Sequence, residues 1–377
     1  MTPVLLLHDE EILLADAAGQ VVYREPGAAL QAHSGLSFGA AALTQARAQP
    51  QHFNNRYINT FSALPLPAQM GKAKHHADLI FHHLASLPQQ AEPLLVAVPA
   101  HLSNEQLGLL LGICNELNIA IRGFVDWPLV CAADSAAAKM DVLDLECHRL
   151  TLTQLERDGD QVHVVGNRIW ESRGTNYLLE GWMSVVADEF VQRTRFDPLH
   201  SGDSEQQVFD QLLRWSSTAE GNLRLRVELG EEVRELDIAR QLLIDKARQR
   251  LDNIDLGDAR SAGELLYTHT AARTPGVAAW AGVSPNSASE QDLLSRTAIL
   301  QEQLTGGGIE RLSRVKIAAI NHTAAIGGTG KPVAVATHLL DESYNAHPVE
   351  HFEGLAVLAP GEQVQLDAGP MTAIRVP

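Results

Sequence analysis

The sequence predicts an α/β protein made of two similarly organised halves and a small all-β unit. Three apolar runs separated by polar turns open the chain, and PVLLL, EILLAD and QVVY predict an antiparallel meander. Strands and helical patterns then alternate, which is typical of an α/β unit. The same order starts again at Asp141. We therefore predict a first lobe over residues 1–140, a second over 141–305 and a β-rich unit over 306–377.

The first half continues with clear helix and strand signals. A helical pattern covers Ala73 to Leu87, and the uninterrupted apolar run PLLVAVPA predicts a buried strand. Ser103, with Gln106 three residues later, predicts a capping box that opens the helix SNEQLGLLLGICNELN. The segment IAIRGFVDW predicts the next strand.

The second half repeats this alternation of predicted strands and helices. Hairpin strands extend to about Trp170, a long helix follows from about Asn176 to Arg195, and another helix ends near Trp215. After these come the strand LRLRVEL, a helix through LDIARQLLIDKARQRLDNI, the strand ELLYTHT and the helix SEQDLLSRTAILQEQL. The tryptophans at 170, 182, 215 and 280 fall inside these elements, so we expect them in the core.

Short alternating runs follow the glycines at 306–308. Five of them, RVKIAAIN, PVAVATHLL, GLAVLAP, EQVQLDA and MTAIRVP, predict the strands of the third unit. The segment AAIGGTGKP between them is not a phosphate loop, because Pro332 follows Lys331 where a magnesium-binding Ser or Thr belongs. We expect a β-turn there.

Composition excludes several classes of partner. The 377 residues are 45% apolar and carry a formal charge of −17, and such an acidic surface repels nucleic acids and anionic membranes. Neither a leader peptide nor a membrane-spanning run is expected, because charges interrupt every apolar stretch. The cysteines at 114, 131 and 147 show no paired spacing, which favours a reducing cytoplasm and a role as core filler.

Two long segments resemble a known family. EPLLVAVPAHLSNEQLGLLLGICNELNIAIRGFVDWPLVCAADS and RTPGVAAWAGVSPNSASEQDLLSRTAI are similar to parts of the nucleotide-binding domain of seventy-kilodalton heat-shock chaperones of the DnaK type. The resemblance extends over residues 1–305 and implies an actin-like, two-lobed fold. It also implies five segments that would hold ATP and magnesium.

The two implied phosphate hairpins both depart from the family pattern. The first has LHDEEI where the family has Asp-Leu-Gly-Thr-Thr, and Asp9 would repel a γ-phosphate. The second keeps Asp144 but has Glu146, Cys147 and His148 in place of glycines that let backbone amides approach phosphate. We therefore expect that these two hairpins do not bind phosphate.

The other three segments have changed as well. The family's metal-organising acid falls on Trp127, which leaves only the neighbouring Asp126. Two polar adenosine ligands fall near Phe209 and Leu212, and the last nucleotide loop keeps only Arg273. The resemblance therefore implies a pseudo-ATPase that acts by binding or regulating other proteins, without a cofactor, a catalytic residue or a metal ligand that we can nominate.

Two alternatives remain open. A weakly active, chaperone-type ATPase would bind ATP with magnesium through Asp9, Asp126, Asp144 and Arg273. An actin-like scaffold or filament component would bind copies of itself. A separate histidine-rich helix, KHHADLIFHHL, carries His75, Asp78 and His82 on one face, which we interpret as a solvated face rather than a metal site.

Overall fold

A computed structural model describes residues 2–218, 220–257, 264–282 and 288–316, and the backbone of four further strands. The protein is mixed α/β, and its strands, numbered in chain order, are β1 Val4–Leu7, β2 Ile12–Ala15, β3 Val21–Glu25, β4 Ala29–Ala32, β5 Gly35–Phe38, β6 Phe53–Asn54, β7 Pro65–Met70, β8 Ala73–His75, β9 Leu94–Val98, β10 Ile121–Asp126, β11 Lys139–Leu145, β12 Arg149–Asp158, β13 Gln161–Glu171, β14 Leu223–Leu229, β15 Glu232–Ile238, β16 Glu264–Tyr267, β17 Glu310–Leu312, β18 Arg314–Lys316, β19 His338–Leu340, β20 Ala346–Pro348, β21 Gln363–Leu366 and β22 Gly369–Ile374.

The described α-helices lie between these strands. They are α1 Gly39–Leu43, α2 Tyr57–Thr60, α3 His76–Leu84, α4 Asn104–Glu116, α5 Trp127–Cys131, α6 Thr175–Thr194, α7 Gly202–Thr218, α8 Arg240–Leu251, α9 His269–Arg273, α10 Val277–Ala281 and α11 Glu290–Ile299. Within the described ranges, every helix is too short or too polar to cross a membrane.

Two sheets have the same arrangement at their centres. Sheet I has the order β17-β10-β9-β1-β2-β3, in which β1, β2 and β3 form an antiparallel meander and β9 runs parallel to β1. Sheet II has the order β16-β11-β12-β13-β18, in which β11, β12 and β13 form the meander and β16 runs parallel to β11. In both sheets the first hairpin turn therefore follows the strand that pairs with a parallel neighbour.

Alternation along the strands distributes their side chains between cores. Val4 and Leu6 of β1 pack in a core that also contains Met140 of β11. Leu5 and Leu7 point to the opposite face and pack with residues of α2, α3 and α4. Sheet II uses its other face against α6, α7 and α8, where Trp182 and Trp215 meet edge to face. Because both faces of each central strand are buried, these strands are almost continuously apolar.

Several predicted elements are confirmed. The opening meander, the buried strand β9 and the capping box at Ser103 and Gln106 are all present, with Ser103 Oγ accepting the Gln106 amide. The second meander and the long helix α6 also lie where the sequence predicts them. Trp182, Trp215 and Trp280 are buried, and Trp170 packs partly buried against the same core.

Two helix boundaries were wrong. Residues 73–75 form β8, which pairs with β7, so the helix predicted over Ala73–Leu87 is only α3, His76–Leu84. Asp78 accepts the backbone amide of His75, and this capping fixes the later start. The helix predicted through LDIARQ starts at Arg240, because residues 232–238 pair with β14 across a turn at Gly230.

The contacts within the chain divide it at a different position from the predicted start of the third unit. Contacts divide the chain into one compact unit over Met1–Thr323 and a second over Ala324–Pro377, rather than at residue 306. Strand β17 pairs with β10, and β18 pairs with β13, so residues 310–316 complete sheets I and II. The predicted segments 1–140 and 141–305 lie in the same unit. The second unit contains a four-stranded antiparallel sheet, β20-β19-β22-β21, and AAIGGTGKP lies outside the described residues.

Candidate functional site

The first hairpin turns of sheets I and II meet. Turn 1, residues 8–11, joins β1 to β2, and turn 2, residues 146–148, joins β11 to β12. The Cys147 backbone N–H donates to Asp9 Oδ1 at 2.8 Å, and Cys147 Sγ lies 3.5 Å from the Asp9 carbonyl oxygen. Gly27 donates its amide to the same carbonyl at 3.0 Å. Direct contacts between the turns thus occupy the space between them.

A buried ion pair lies beside this contact. His8 Nε2 is 3.3 Å from Asp144 Oδ2, and both side chains are buried. The other carboxylate oxygen, Oδ1, accepts the Thr268 hydroxyl at 2.7 Å and the Leu145 amide at 2.9 Å. Both oxygens of Asp144 are therefore already engaged by protein groups.

The contacts of the His8 ring favour opposite charge states. The Glu10 amide lies 3.3 Å from Nδ1, which favours a neutral ring, whereas Asp144 favours an imidazolium. Burial opposes protonation, but the charges of Asp144, Asp9 and Glu146 outweigh it and raise the pKa of His8 to about 10. His8 is thus the cation that balances the surrounding carboxylates at neutral pH.

The carboxylates around His8 are strongly perturbed. Burial raises the pKa of Asp9 to about 6, although the His8 charge and the Cys147 amide act in the opposite direction. Burial also raises the pKa of Glu146 well above its usual range, and the charge of Asp9 adds to this. Arg149 and His101 lie near Glu146, at 3.8 Å and 3.5 Å. A phosphate would meet an acidic environment here.

A cavity of about 590 Å³ adjoins the two turns. Four of the five segments that the nucleotide resemblance singles out contribute to its walls: Asp9 and Glu10 of turn 1, Cys147 and His148 of turn 2, Phe209, Leu213, Ser216 and Ser217 of α7, and Thr270, Arg273, Thr274 and Pro275 after β16. Residues 26–28, residues of the segment 43–56, and the chain from Ser172 into α6 complete the lining. The folded chain therefore gathers these distant segments around one space.

The start of α6 is fixed against turn 2. The amides of Thr175 and Asn176 donate to the carbonyl oxygens of Glu146 and Cys147 at 2.9 Å and 3.0 Å. A Cβ at Gly174 would collide with those same carbonyl groups. The chain can therefore approach turn 2 this closely only with glycine at position 174. The free amides of the helix N-terminus are used for this contact.

Asp126 lies in a different arrangement from the other predicted site acids. Arg311 Nε donates to Asp126 Oδ1 at 2.7 Å, and the same guanidinium donates to the carbonyl oxygens of Ala100 and Leu102. Burial raises the pKa of Asp126 to about 6, against the influence of Arg311. Trp127, at the implied position of the metal-organising acid, is buried in the core. Asp126 does not line the cavity.

Arg273 lines the cavity and is partly exposed. Its guanidinium lies 4.0 Å from Glu11 Oε2 and 3.4 Å from His269 Nε2. Glu11, His269 and Glu290 come close enough together to suggest a cation site. Arg24, however, binds Glu11 at 2.5 Å and Glu290 at 2.6 Å, so an arginine already supplies the positive charge.

The residues at the turns do not fit ATP with magnesium. Both oxygens of Asp144 and one oxygen of Asp9 accept hydrogen bonds from the protein. Glu146 and His148 stand where the resemblance implies glycines, and their side chains are buried among protein partners. We derive no catalytic step through a nucleotide here.

The predicted solvated face of the histidine-rich helix is partly exposed, and its other face is buried. His75 and Asp78 are partly exposed and lie 3.2 Å apart, but His76 and His83 are buried. His83 stacks on Phe38, and its Nδ1 lies 2.5 Å from the Tyr57 hydroxyl. Burial lowers the pKa of His83 to about 4, so it is a neutral core residue rather than part of a solvated face.

Sequence reasoning missed two important groups. His8 was only a polar turn residue in the sequence, and Arg311 lay just before the first predicted strand of the third unit. Their partners lie 136 and 185 positions away, so local pattern carries no signal for either pair.

Comparison of the sequence with protein families and with curated proteins finds no relative. No protein-family model matches the chain, and no curated protein matches it.

Proposed function

We propose that this chain is an actin-like, heat-shock-70-like pseudo-ATPase that does not hydrolyse ATP and acts through protein binding or regulation. The repeated order of meander and parallel strand in sheets I and II supports the actin-like part of the proposal. The resemblance over residues 1–305 supports its relation to the chaperone nucleotide-binding domain.

The loss of hydrolysis rests on one observation, the direct contact between turns 1 and 2. The hydrogen bond from Cys147 to Asp9 spans the gap in which, in the proposed ancestral arrangement, a phosphate would separate the turns. In the adjacent pair, His8 already binds Asp144, the acid that magnesium would need. Opening both contacts would expose buried carboxylates to an anion, which is electrostatically unfavourable.

Protein binding is the role that remains for such a fold. With turns 1 and 2 bonded to each other, we propose that the halves stay in one closure state and present fixed surfaces. Edge strand β3 offers the partly exposed Val21 and Val22, and edge strands accept extended peptides by strand addition. The net charge of −17 favours proteins over nucleic acids and membranes as partners. The free thiols of the three cysteines suit a cytoplasmic setting.

Calorimetry and phosphate release test the proposal. The full chain is titrated with ATP and magnesium, and phosphate release is followed at millimolar nucleotide. We expect neither saturable heat nor turnover above the buffer rate. Hydrolysis that is abolished by Asp144→Asn would overturn the proposal in favour of the weakly active ATPase. Concentration-dependent sedimentation into long assemblies would instead support the scaffold alternative.

A further inference from the structure

The β14–β15 hairpin has one protected edge and one open edge. On the β14 side, Gln207 Nε2 donates to the Glu228 carbonyl oxygen at 3.1 Å, and Gln207 Oε1 accepts the Glu228 amide at 2.8 Å. Gln211 bonds in the same way to Arg226, at 2.8 Å and 2.9 Å. These two side chains of α7 therefore take the place of a third strand along β14.

The same bonds show which backbone groups of β15 face outwards. In an antiparallel pair, opposite residues alternate between bonding each other and facing away. The β14 residues bound by the glutamines face away from β15, so the residues opposite them, Glu235 and Val233, face away from β14. One step further along, the Arg193 guanidinium covers the Asp237 carbonyl oxygen at 3.1 Å. Val233 and Glu235 therefore present N–H and C=O groups on an edge where no strand pairs within the described part of the chain.

The side chains along this open edge are apolar at one point and acidic around it. Val233 is 45% exposed, and Glu235 and Asp237 are exposed on the same face, because side chains two apart in a strand share a face. Residues 231–237 contain four acids and one arginine. Glu235 pairs with an exposed arginine of β14 at 3.6 Å, whereas the carboxylates of Glu231 and Asp237 have no charged partner among the described residues.

We propose that the open edge of β15 binds an extended, basic segment of a partner protein, which adds as an antiparallel strand at Val233 and Glu235. The outward N–H and C=O groups supply the hydrogen bonds of strand addition. Basic side chains opposite the acids, and an apolar side chain opposite Val233, give favourable cross-strand pairs. A second copy of this chain would instead bring a further formal charge of −17 against an acidic edge.

Two peptides test the charge requirement. In antiparallel register, the basic peptide acetyl-Lys-Thr-Lys-Thr-Val-Thr-Lys-amide places its valine opposite Val233 and two lysines opposite Glu235 and Asp237. In the acidic peptide, glutamate replaces each lysine. Each is titrated into the full chain by calorimetry at pH 7.5 in 0.15 molar salt, without nucleotide. We expect the basic peptide to bind at least about tenfold more tightly. Equal affinities, or no binding of the basic peptide up to 1 millimolar, would overturn the proposal.

Methylated forms of the basic peptide test the backbone pairing. N-methyl groups on its third and fifth residues remove the amides that face Glu235 and Val233, so we expect binding to weaken at least about tenfold. N-methyl groups on its second and fourth residues lie on the outer edge of the added strand and should leave the affinity within about threefold. Both forms carry the same charge. Equal binding of the two would indicate charge attraction without strand addition and would contradict the proposal.

Variants locate the edge. Val233→Lys places a like charge against the basic peptide and should weaken its binding at least about tenfold. Val22→Lys is the matched control, because Val22 is 40% exposed on another edge strand, β3, and it should leave binding unchanged. Weaker binding in Val22→Lys alone would place the peptide on β3 and refute the assignment to β15. A dimer of the full chain that Val233→Lys abolishes in sedimentation would show a second copy at the edge, and would also refute it.

The inference rests on the proposed protein-binding role, and the two fail separately. ATP turnover would overturn the pseudo-ATPase proposal and leave the peptide titrations to be judged by themselves. Absence of peptide binding would remove β15 as a binding surface and would have no bearing on ATP hydrolysis.

Discussion

His8 and Asp144 form a buried pair between two hairpins that are far apart in the sequence. Their Nε2 and Oδ2 atoms lie 3.3 Å apart, and the carboxylate also accepts hydrogen bonds from Thr268 and Leu145. Because neither side chain reaches solvent, each depends on the other for charge compensation. The pair links β1 to β11 directly at the site of the proposed lost nucleotide chemistry.

Removing one member of this pair should destabilise the protein strongly. We expect His8→Ala or Asp144→Ala alone to lower the free energy of unfolding by about 3–5 kcal/mol, because an uncompensated buried charge remains. The double variant should lose at least about 1 kcal/mol less than the sum of the two single losses. Urea unfolding at pH 7 measures all four proteins. Strict additivity would contradict the coupling.

The same pair should make stability depend on pH above neutrality. The folded-state pKa of His8 is raised from 6.5 to about 10, so the folded protein holds this proton more tightly than the unfolded chain. Its contribution is fully present below pH 6.5 and is lost as pH rises through about 10. We expect unfolding free energy to fall across this window, and to fall less in His8→Gln. An identical slope in both proteins would show that other groups control it.

Arg311, on edge strand β17 of sheet I, should stabilise the protein strongly. It binds buried Asp126 and two backbone carbonyl groups. We expect Arg311→Ala to lower the free energy of unfolding by about 3–5 kcal/mol, because Asp126 is left unpaired. Arg311→Lys should recover only part, since an ammonium group cannot reproduce the three-way guanidinium contact.

Arg314 provides the matched control for this prediction. It lies on β18, the next strand along the chain, is exposed, and donates a side-chain hydrogen bond to Gln161. Arg314→Ala should change the free energy of unfolding by no more than about 0.5 kcal/mol. Thermal unfolding followed by circular dichroism compares the variants, and similar losses at both positions would contradict the role assigned to Asp126.

Gly174 should not tolerate a side chain. A Cβ there would collide with the carbonyl groups of Glu146 and Cys147, so Gly174→Ala must push α6 away from turn 2. We expect a loss of about 1–3 kcal/mol in unfolding free energy, as for other overpacked sites. Gly108→Ala is the control, because open space surrounds that exposed position of α4. There alanine should stabilise by about 0.5–1 kcal/mol. Equal effects at the two glycines would contradict the close approach.

The sequence predicts the element types well where periodicity is strong. The apolar runs PVLLL and EILLAD, and the capping box at Ser103, depend only on neighbouring residues, and both predictions are confirmed. Prediction failed for Ala73–His75 and for residues 236–238, which look helical locally but pair with another strand. Strand pairing is a longer-range interaction, and it outweighed local helix propensity.

For the site, the sequence by itself determined that residues 8–11 and 146–148 contain acids and histidines and no glycine, because residue identity needs no coordinates. Only the tertiary structure decided that Asp9 contacts Cys147 and that His8 neutralises Asp144. It also decided that Arg311 forms an ion pair with Asp126. Each of these contacts joins residues on strands or turns that are far apart in the chain, and burial changes their charge states. Spacing in the chain carries no record of such distances, and the desolvation that shifts the pKa values exists only once the two sheets are packed.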